Sequence, residues 1–288
     1  MDILNKSFIK ISNLIRNSNN LNLSSFDDNQ NSSGDLVKKL DIISHNIIAS
    51  ELSDNPEIAG YISEESAEIT FLSNTGKYIV AFDPLDGSSN ISCNVSVGTI
   101  YGIYDWDSQN NKIGNIIDAG YCLYGPSTIL VRTENDIVKM YQLIHNKYFD
   151  FISVVSLKNK NEKLYSINES NTPFMSQNIQ NIIKNYKETN YNTRWIGSMV
   201  ADIHRTLIQG GIFMYPGNTK NPLGKLRLVY ESLPIAKIFD VCSGDSWDGE
   251  KNILENEIDL KNIHQKIPTF LGTKKNINII KNLNKISN

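Results

Sequence analysis

The sequence predicts an α/β protein in which helices are layered on sheets, and three observations lead there. Leu36, Leu40, Ile43 and Ile47 recur at helical spacing and form one apolar stripe. Residues 95–104, 119–124, 128–132, 137–143 and 148–154 are apolar runs broken by Gly, Asp and Pro, which read as successive strands of one sizeable sheet. A chain of 288 residues with 40% hydrophobic content can fill the core of two domains or of one large α/β domain.

Taken in order, residues 3–15 set Ile3, Phe8, Ile11, Leu14 and Ile15 at helical spacing. Residues 18–34, rich in Asn and Ser, read as a loop, and Asp35 is placed to cap the helix that follows. Residues 61–63 read as a short strand end and 78–82 as a buried strand. The Lys/Asn-rich connector 158–163 marks a domain boundary, giving an N-terminal domain over 1–156 and a C-terminal domain over 157–288. Beyond it, Ile179, Ile182, Ile183 and Tyr186 mark a helix, and Met199, Ile203 and Leu207 mark another, in which His204 is read as structural. Residues 210–216 read as a turn and a strand. Residues 225–231 alternate charged and apolar, which puts Lys225, Arg227 and Glu231 on one face of a strand. Residues 234–241 read as a helix, and a closing strand is expected towards Gly272.

Composition narrows the function. A net charge of −3 argues against a nucleic acid or a polyanionic membrane as partner. No apolar run approaches the roughly 18 residues of a membrane span. Residues 1–20 lack the apolar core and small-residue cleavage site of a secretory signal. Cys93, Cys122 and Cys242 are far apart and odd in number, without zinc spacing, so a reduced, cytoplasmic protein is expected.

The chemistry centres on Phe82-Asp83-Pro84-Leu85-Asp86-Gly87-Ser88-Ser89-Asn90. A strand that ends in two carboxylates and a Gly turn suits a hard divalent cation such as Mg²⁺, which takes oxygen ligands and shares phosphate oxygens. Pro84 fixes φ, so Asp83 and Asp86 are expected on a stiff turn. Gly87, Ser88 and Ser89 offer backbone N–H groups and hydroxyls to a phosphate. An Asp-Pro turn followed by an Asp helix cap is the other reading of this spacing. By pattern alone Asp41 lies on a solvated helix face, and Glu64 and Glu65 are surface residues. Their place shortly before Asp83 makes a second acidic cluster.

The nonamer resembles the metal signature of class I fructose-1,6-bisphosphatases, within the wider group of Mg²⁺-dependent, lithium-sensitive sugar and inositol phosphatases. Similar motifs run from about Gly34 to about Gly272: V-K-K-L-D, S-E-E, S-V-G-T-I-Y-G-I-Y, A-G-Y-C-L-Y-G, Y-S-I-N-E, the segment 194–205 and I-H-Q. The resemblance implies an α-β-α-β-α sandwich, two or three Mg²⁺ per subunit with Mn²⁺ as a substitute, and a homo-oligomer, a tetramer in the family. It implies hydrolysis of the 1-phosphate of fructose 1,6-bisphosphate, in gluconeogenesis. It makes Glu64, Asp83, Asp86, Glu231, Asp41 and the Leu85 carbonyl metal ligands, with Glu64 bridging. Glu65 and Asp41 then position and deprotonate the attacking water. Asp86, Gly87, Ser88, Ser89, Asn168, Tyr215 and Lys225 bind substrate, Arg227 pairs with acidic site residues, and Asp35 belongs to a catalytic loop. Arg194 reaches a neighbouring subunit's site, and Trp195 stands where the family has a phosphate-contacting Tyr.

Four departures stand out. Asn171 replaces a Tyr, Cys242-Ser243-Gly244 replaces A-G-G, and Asp105 replaces an Arg of the family's AMP site, beside the matching Lys77 and Tyr78. The N-terminal T-G-E-L-T-like turn has no counterpart. Weak or absent inhibition by AMP is therefore expected, because a carboxylate repels phosphate. Other readings are sedoheptulose-1,7-bisphosphatase, a broader sugar phosphatase, or a non-catalytic paralogue that binds sugar phosphates.

Overall fold

The computed structural model describes residues 3–17 and 32–286, with side chains from 3 to 17 and from 39 to 283. Two helices, α1 (Asn5–Arg16) and α2 (Ser32–Ser53), precede an eight-stranded sheet. Its strands are β1 (Ile58–Ser63), β2 (Thr70–Phe71), β3 (Tyr78–Asp86), β4 (Val97–Asp107), β5 (Lys112–Tyr124), β6 (Thr128–Glu134), β7 (Ile137–Ile144) and β8 (Tyr148–Val155), in the order β2-β1-β3-β4-β5-β6-β7-β8. β1 and β3 pair in parallel; the other neighbours are antiparallel. The second sheet holds β9 (Leu164–Ser166), β10 (Asn192–Thr193), β11 (Ile212–Tyr215), β12 (Gly244–Trp247) and β13 (Thr269–Thr273), in the order β10-β9-β11-β13-β12. The remaining helices are α3 (Gln177–Glu188), α4 (Met199–Gln209), α5 (Leu233–Val241) and α6 (Lys274–Ile286).

Side-chain alternation along the strands sorts these elements into layers. In β3, Val80 and Phe82 point to a core shared with Phe8 and Ile11 of α1 and Leu40 and Ile48 of α2. Ile79 and Ala81 point the other way, to a core shared with Val200 and Ile203 of α4 and Ile235 and Phe239 of α5. β11 repeats the division: Phe213 joins that middle core, while Ile212 and Met214 face Ile182 of α3 and Ile277 of α6. The result is the expected α-β-α-β-α sandwich. Phe82, Phe239 and Ile100 are 0% exposed, and burying each such side chain contributes roughly 1.5–3 kcal/mol. Because both faces of the main sheet are covered at β3, that strand is buried from Ile79 to Asp86, as the run 78–82 implied.

Several local expectations change. α2 starts at Ser32, so Asp35 lies inside its first turn and not at its N-cap position. The loop expected at 18–34 is already helical from Ser32, and its residues 18–31 lie outside the described ones. The buried stripe of α2 runs through Leu40, Ser44, Ile48 and Leu52, while Ile43 is 36% exposed. Pro84 lies within β3 at a bulge, not on a separate turn. Asp83 pairs with Ile100 and Asp86 with Gly98, so β3 carries one extra residue, and a bulge tolerates a residue without an N–H.

The strand expected over 225–231 does not form. Arg227 makes one bridge with Lys266, and then Leu228–Ser232 coils into a π-helical turn that leads into α5. Residues 228–232 are all buried, which a half-exposed strand forbids, and Pro234 cannot donate the usual helical bond at the junction. Lys225, Arg227 and Glu231 therefore do not share a face: the first is exposed, the second half-buried and the third buried.

Candidate active site

β3 supplies the first two acids. Asp83 and Asp86, 3% and 7% exposed, flank the bulge at its C-terminal end. Asp83 Oδ1 accepts from the Leu85 N–H at 2.9 Å. Asp86 Oδ2 accepts from the Val200 N–H at 2.8 Å and the Ser198 hydroxyl at 3.3 Å. Those donors lie at the N-terminus of α4, where backbone N–H groups lack helical partners. The third acid comes from the other half of the chain. Glu231, on the π-helical turn, accepts from the Arg227 N–H. One oxygen each of Asp83, Asp86 and Glu231 lies within 4.8 Å of the others.

Three buried carboxylates so close cannot all be ionised without a counter-charge. Burial, then Glu64, Asp86 and Glu231, push Asp83 well above the usual carboxylate range. Burial, then Asp86 and Glu64, do the same to Glu231, and Arg227 offsets this only in part. Burial pushes Asp86 up to about 7 against its bonds from Val200 and Ser198. An all-oxygen, acid-rich, buried donor set of this kind fits a hard divalent cation.

Glu64 and Glu65 are the central residues of a β-turn closed by the Ser66 N–H on the Ser63 carbonyl at 3.1 Å. Ser63 Oγ accepts from the Glu65 N–H at 3.3 Å and meets His45 Nδ1 at 2.8 Å. Both glutamates are exposed, yet neither is remote: Glu64 acts on Asp83, Asp86 and Glu231, and Glu65 on Asp41. Asp41, on α2, is pushed up to about 7 by burial and then by Glu65, against a hydrogen bond with Ser88. Asp41, Glu64, Glu65, Asp83, Asp86 and Glu231 thus surround the end of β3, and Leu85 lies between the two aspartates.

Behind the bulge, Gly87 has φ 72°, and a Cβ there would lie 2.6 Å from Ser198 Oγ, so glycine is required twice over. A 3₁₀ helix, Ser88–Cys93, follows at once. Its Ser88 touches Asp41, Ser89 is exposed, and Asn90 Nδ2 donates to the Gly197 carbonyl at 3.1 Å. Tyr215 borders the acids: burial and Glu231 raise its phenol. Trp195 stacks on Phe213 and leans on Tyr215, both at 6.4 Å between ring centres.

Three expected substrate residues stand apart. Asn168 Oδ1 caps the 3₁₀ helix Glu169–Phe174 by accepting from the Ser170 N–H at 3.1 Å, as an ordinary turn Asn does. Arg194 is exposed and donates to the Thr193 carbonyl at 2.8 Å. Lys225 is exposed. Asn168 and Arg194 direct these bonds to backbone groups beside them.

Asp202, inside the 194–205 motif, was given no role by sequence reasoning. It is 1% exposed and accepts from Ser166 Oγ at 2.9 Å and from the Ile196 and Gly197 N–H groups at 3.0 Å, which fixes the loop that carries Arg194 and Trp195. Its place in A-D-I-H-R was the available signal. His45, one helical turn after Asp41, also went unread. His204 is structural, as expected: it meets the Tyr121 hydroxyl at 2.7 Å, and burial lowers it to about 4.

The fructose-1-6-bisphosphatase N-terminal domain family matches residues 1–154, and the C-terminal domain family matches residues 158–285. Fructose-1,6-bisphosphatase 1 of Rattus norvegicus is 41% identical over 265 residues, covering 86% of this chain and 72% of that protein. Fructose-1,6-bisphosphatase class 1 of Sulfurihydrogenibium sp. is 39% identical over 265 residues, covering 88% and 81%. The crystal structure of Leishmania major fructose-1,6-bisphosphatase in holo form has a TM-score of 0.87 at 31% identity, over 98% of this chain and 92% of that one. The chain belongs to the fructose-1,6-bisphosphatase family.

Proposed function

We propose that this protein hydrolyses the 1-phosphate of fructose 1,6-bisphosphate, giving fructose 6-phosphate and phosphate. The observation that carries the reading is the buried group Asp83, Asp86 and Glu231, whose oxygens lie within 4.8 Å of one another. In this reading these three, Glu64, Asp41 and the Leu85 carbonyl hold two or three Mg²⁺, or Mn²⁺. When bound, such ions make a water nucleophilic and neutralise charge on the phosphoryl group. Glu65 and Asp41, which lie close enough to act on each other, orient that water and take its proton. The water oxygen bonds to phosphorus, the bond from phosphorus to the sugar oxygen breaks in line, and that oxygen leaves with a proton from solvent. Asp86, Gly87, Ser88 and Ser89 hold the reacting end. Tyr215, Trp195, Lys225 and Asn168 hold the sugar and its second phosphate.

Arg194, exposed and bonded to the Thr193 carbonyl, is assigned to a neighbouring subunit's site. That role requires a homo-oligomer, which we take to be a tetramer. The outer strand β8 supports assembly, since it exposes Tyr148, Phe151, Ile152 and Val154. A cytoplasmic setting suits the three free cysteines, and no described helix is long and apolar enough to cross a membrane. A metal-bearing domain over 1–156 and a sugar-phosphate domain over 157–288 follow the change of sheet between Val155 and Leu164. Tyr78 and Asp105 are cross-strand partners, so the acid replacing the family's Arg lies beside the remaining AMP-site pair.

Mg²⁺-dependent phosphate release across fructose 1,6-bisphosphate, sedoheptulose 1,7-bisphosphate and sugar monophosphates tests the reading, with AMP added in parallel. Fructose 1,6-bisphosphate should give the highest kcat/KM, with AMP leaving it unchanged. A preference for another substrate refutes the substrate assignment, and micromolar AMP inhibition refutes the regulatory one.

A further inference from the structure

His264 makes two side-chain hydrogen bonds that join distant parts of the chain. Its Nε2 lies 2.9 Å from the Ser66 carbonyl oxygen, and its Nδ1 lies 2.7 Å from the Tyr230 hydroxyl. A carbonyl can only accept, so Nε2 carries a proton; in the neutral ring Nδ1 then accepts from Tyr230. The two bonds run in one direction, from Tyr230 through the ring to Ser66. The rings of Tyr230 and His264 meet edge to face at 77°, and the Arg227 guanidinium donates to the His264 carbonyl at 2.8 Å. Tyr230 precedes Glu231, and the Arg227 N–H holds the Glu231 carboxylate. Ser66 closes the turn that presents Glu64 and Glu65.

We propose that His264 is a positioning residue, which fixes the Glu64–Glu65 turn against the buried acids and so sets the cation affinity of the site. The need for such a tie follows from the charges. Glu64 is exposed on a two-residue turn and faces three carboxylates of its own sign, so repulsion drives it outward. The bond from Nε2 to Ser66 anchors the end of that turn to the segment that carries Glu231. At the other end His45 holds Ser63. The role rests on the metal reading above. Loss of an outer partner of this kind costs about 10–100-fold in metal affinity.

The test is calorimetric titration with Mn²⁺, without substrate, of the wild-type chain, H264F and H264Q. Phenylalanine keeps the ring and removes both bonds; glutamine keeps one donor and one acceptor. H264F should bind Mn²⁺ about 10–100-fold more weakly, with H264Q close to wild type. Equal binding by wild type and H264F, or equally weak binding by H264Q and H264F, overturns the role and leaves the metal reading intact. Absence of Mn²⁺ binding by the wild type overturns both. If H264F does not fold, Y230F decides: weakened binding supports the role, and unchanged binding overturns it.

Discussion

The two sides of the site are built differently. The acid side is assembled within one chain from both halves of the sequence, with Asp83, Asp86 and Glu231 buried and bonded to β3, α4 and the π-helical turn. The sugar side includes the exposed groups Arg194, Trp195 and Lys225. Burial makes the acid side rigid and costly without a cation, whereas exposure leaves the other side to be ordered by substrate or by a neighbouring subunit. Substitutions on the acid side should therefore remove turnover, and those on the sugar side should weaken binding.

The largest expected effect is that of Asp83→Asn. It should lower kcat by at least about 10³-fold, beyond the 10–100-fold typical of an outer partner. Stability near neutral pH should not fall, because one of three repelling buried charges is removed. Thermal melts beside phosphate-release assays check both parts, and persistent turnover would show that Asp83 is not a ligand. A smaller loss is expected from Lys225→Ala, on the order of 10–100-fold in kcat/KM, the worth of one charged hydrogen bond. If kcat falls instead with KM unchanged, Lys225 acts on the reacting end and the contrast between the two sides blurs.

The smallest effect is one of pH on the metal-stripped protein. Asp41 and Asp86 are raised from 3.8 to about 7, so between those limits the folded chain holds protons that the unfolded chain has released. That stability is complete below about pH 4 and is lost as pH rises through 7. In EDTA, Tm should drop by several degrees from pH 5 to pH 8, and Mg²⁺ should reverse the drop. A Tm that is flat across this range, or higher at pH 8, means that the acids are not close-set in solution.

Much of the layering was legible because strand alternation and helical spacing are local signals. Val80 and Phe82 against Ile79 and Ala81 already announce a strand buried on both faces. The stripe of α2 was read with Ile43 where Ser44 is buried, since four-residue spacing and mixed spacing look alike over three turns. Glu231 meets Asp83 and Asp86 in space, but not from the strand that its surroundings suggested. Alternation in K-L-R-L-V-Y-E suggested a strand, while the tertiary core around Leu228, Val229 and Tyr230 imposes a coil. The companionship of Asp41 with Glu65, or of Glu64 with Asp83, has no local signature; only the motif resemblance pointed to it. The bonds from Ser166 to Asp202 and from His264 to Ser66 have no local signature, because each closes a long loop that no spacing rule spans.

The inserted residue beside Pro84 decides the parity of the strand. Along a regular strand, positions three apart point to opposite sides, so a ligand at each would look away from the other. One unpaired residue between Asp83 and Asp86 turns that odd interval into an even one and brings both carboxylates to the side of α4 and Glu231. Regular pairing of the full D-P-L-D segment, without the bulge, would keep both aspartates in the polypeptide and still divide the pair between two layers of the protein.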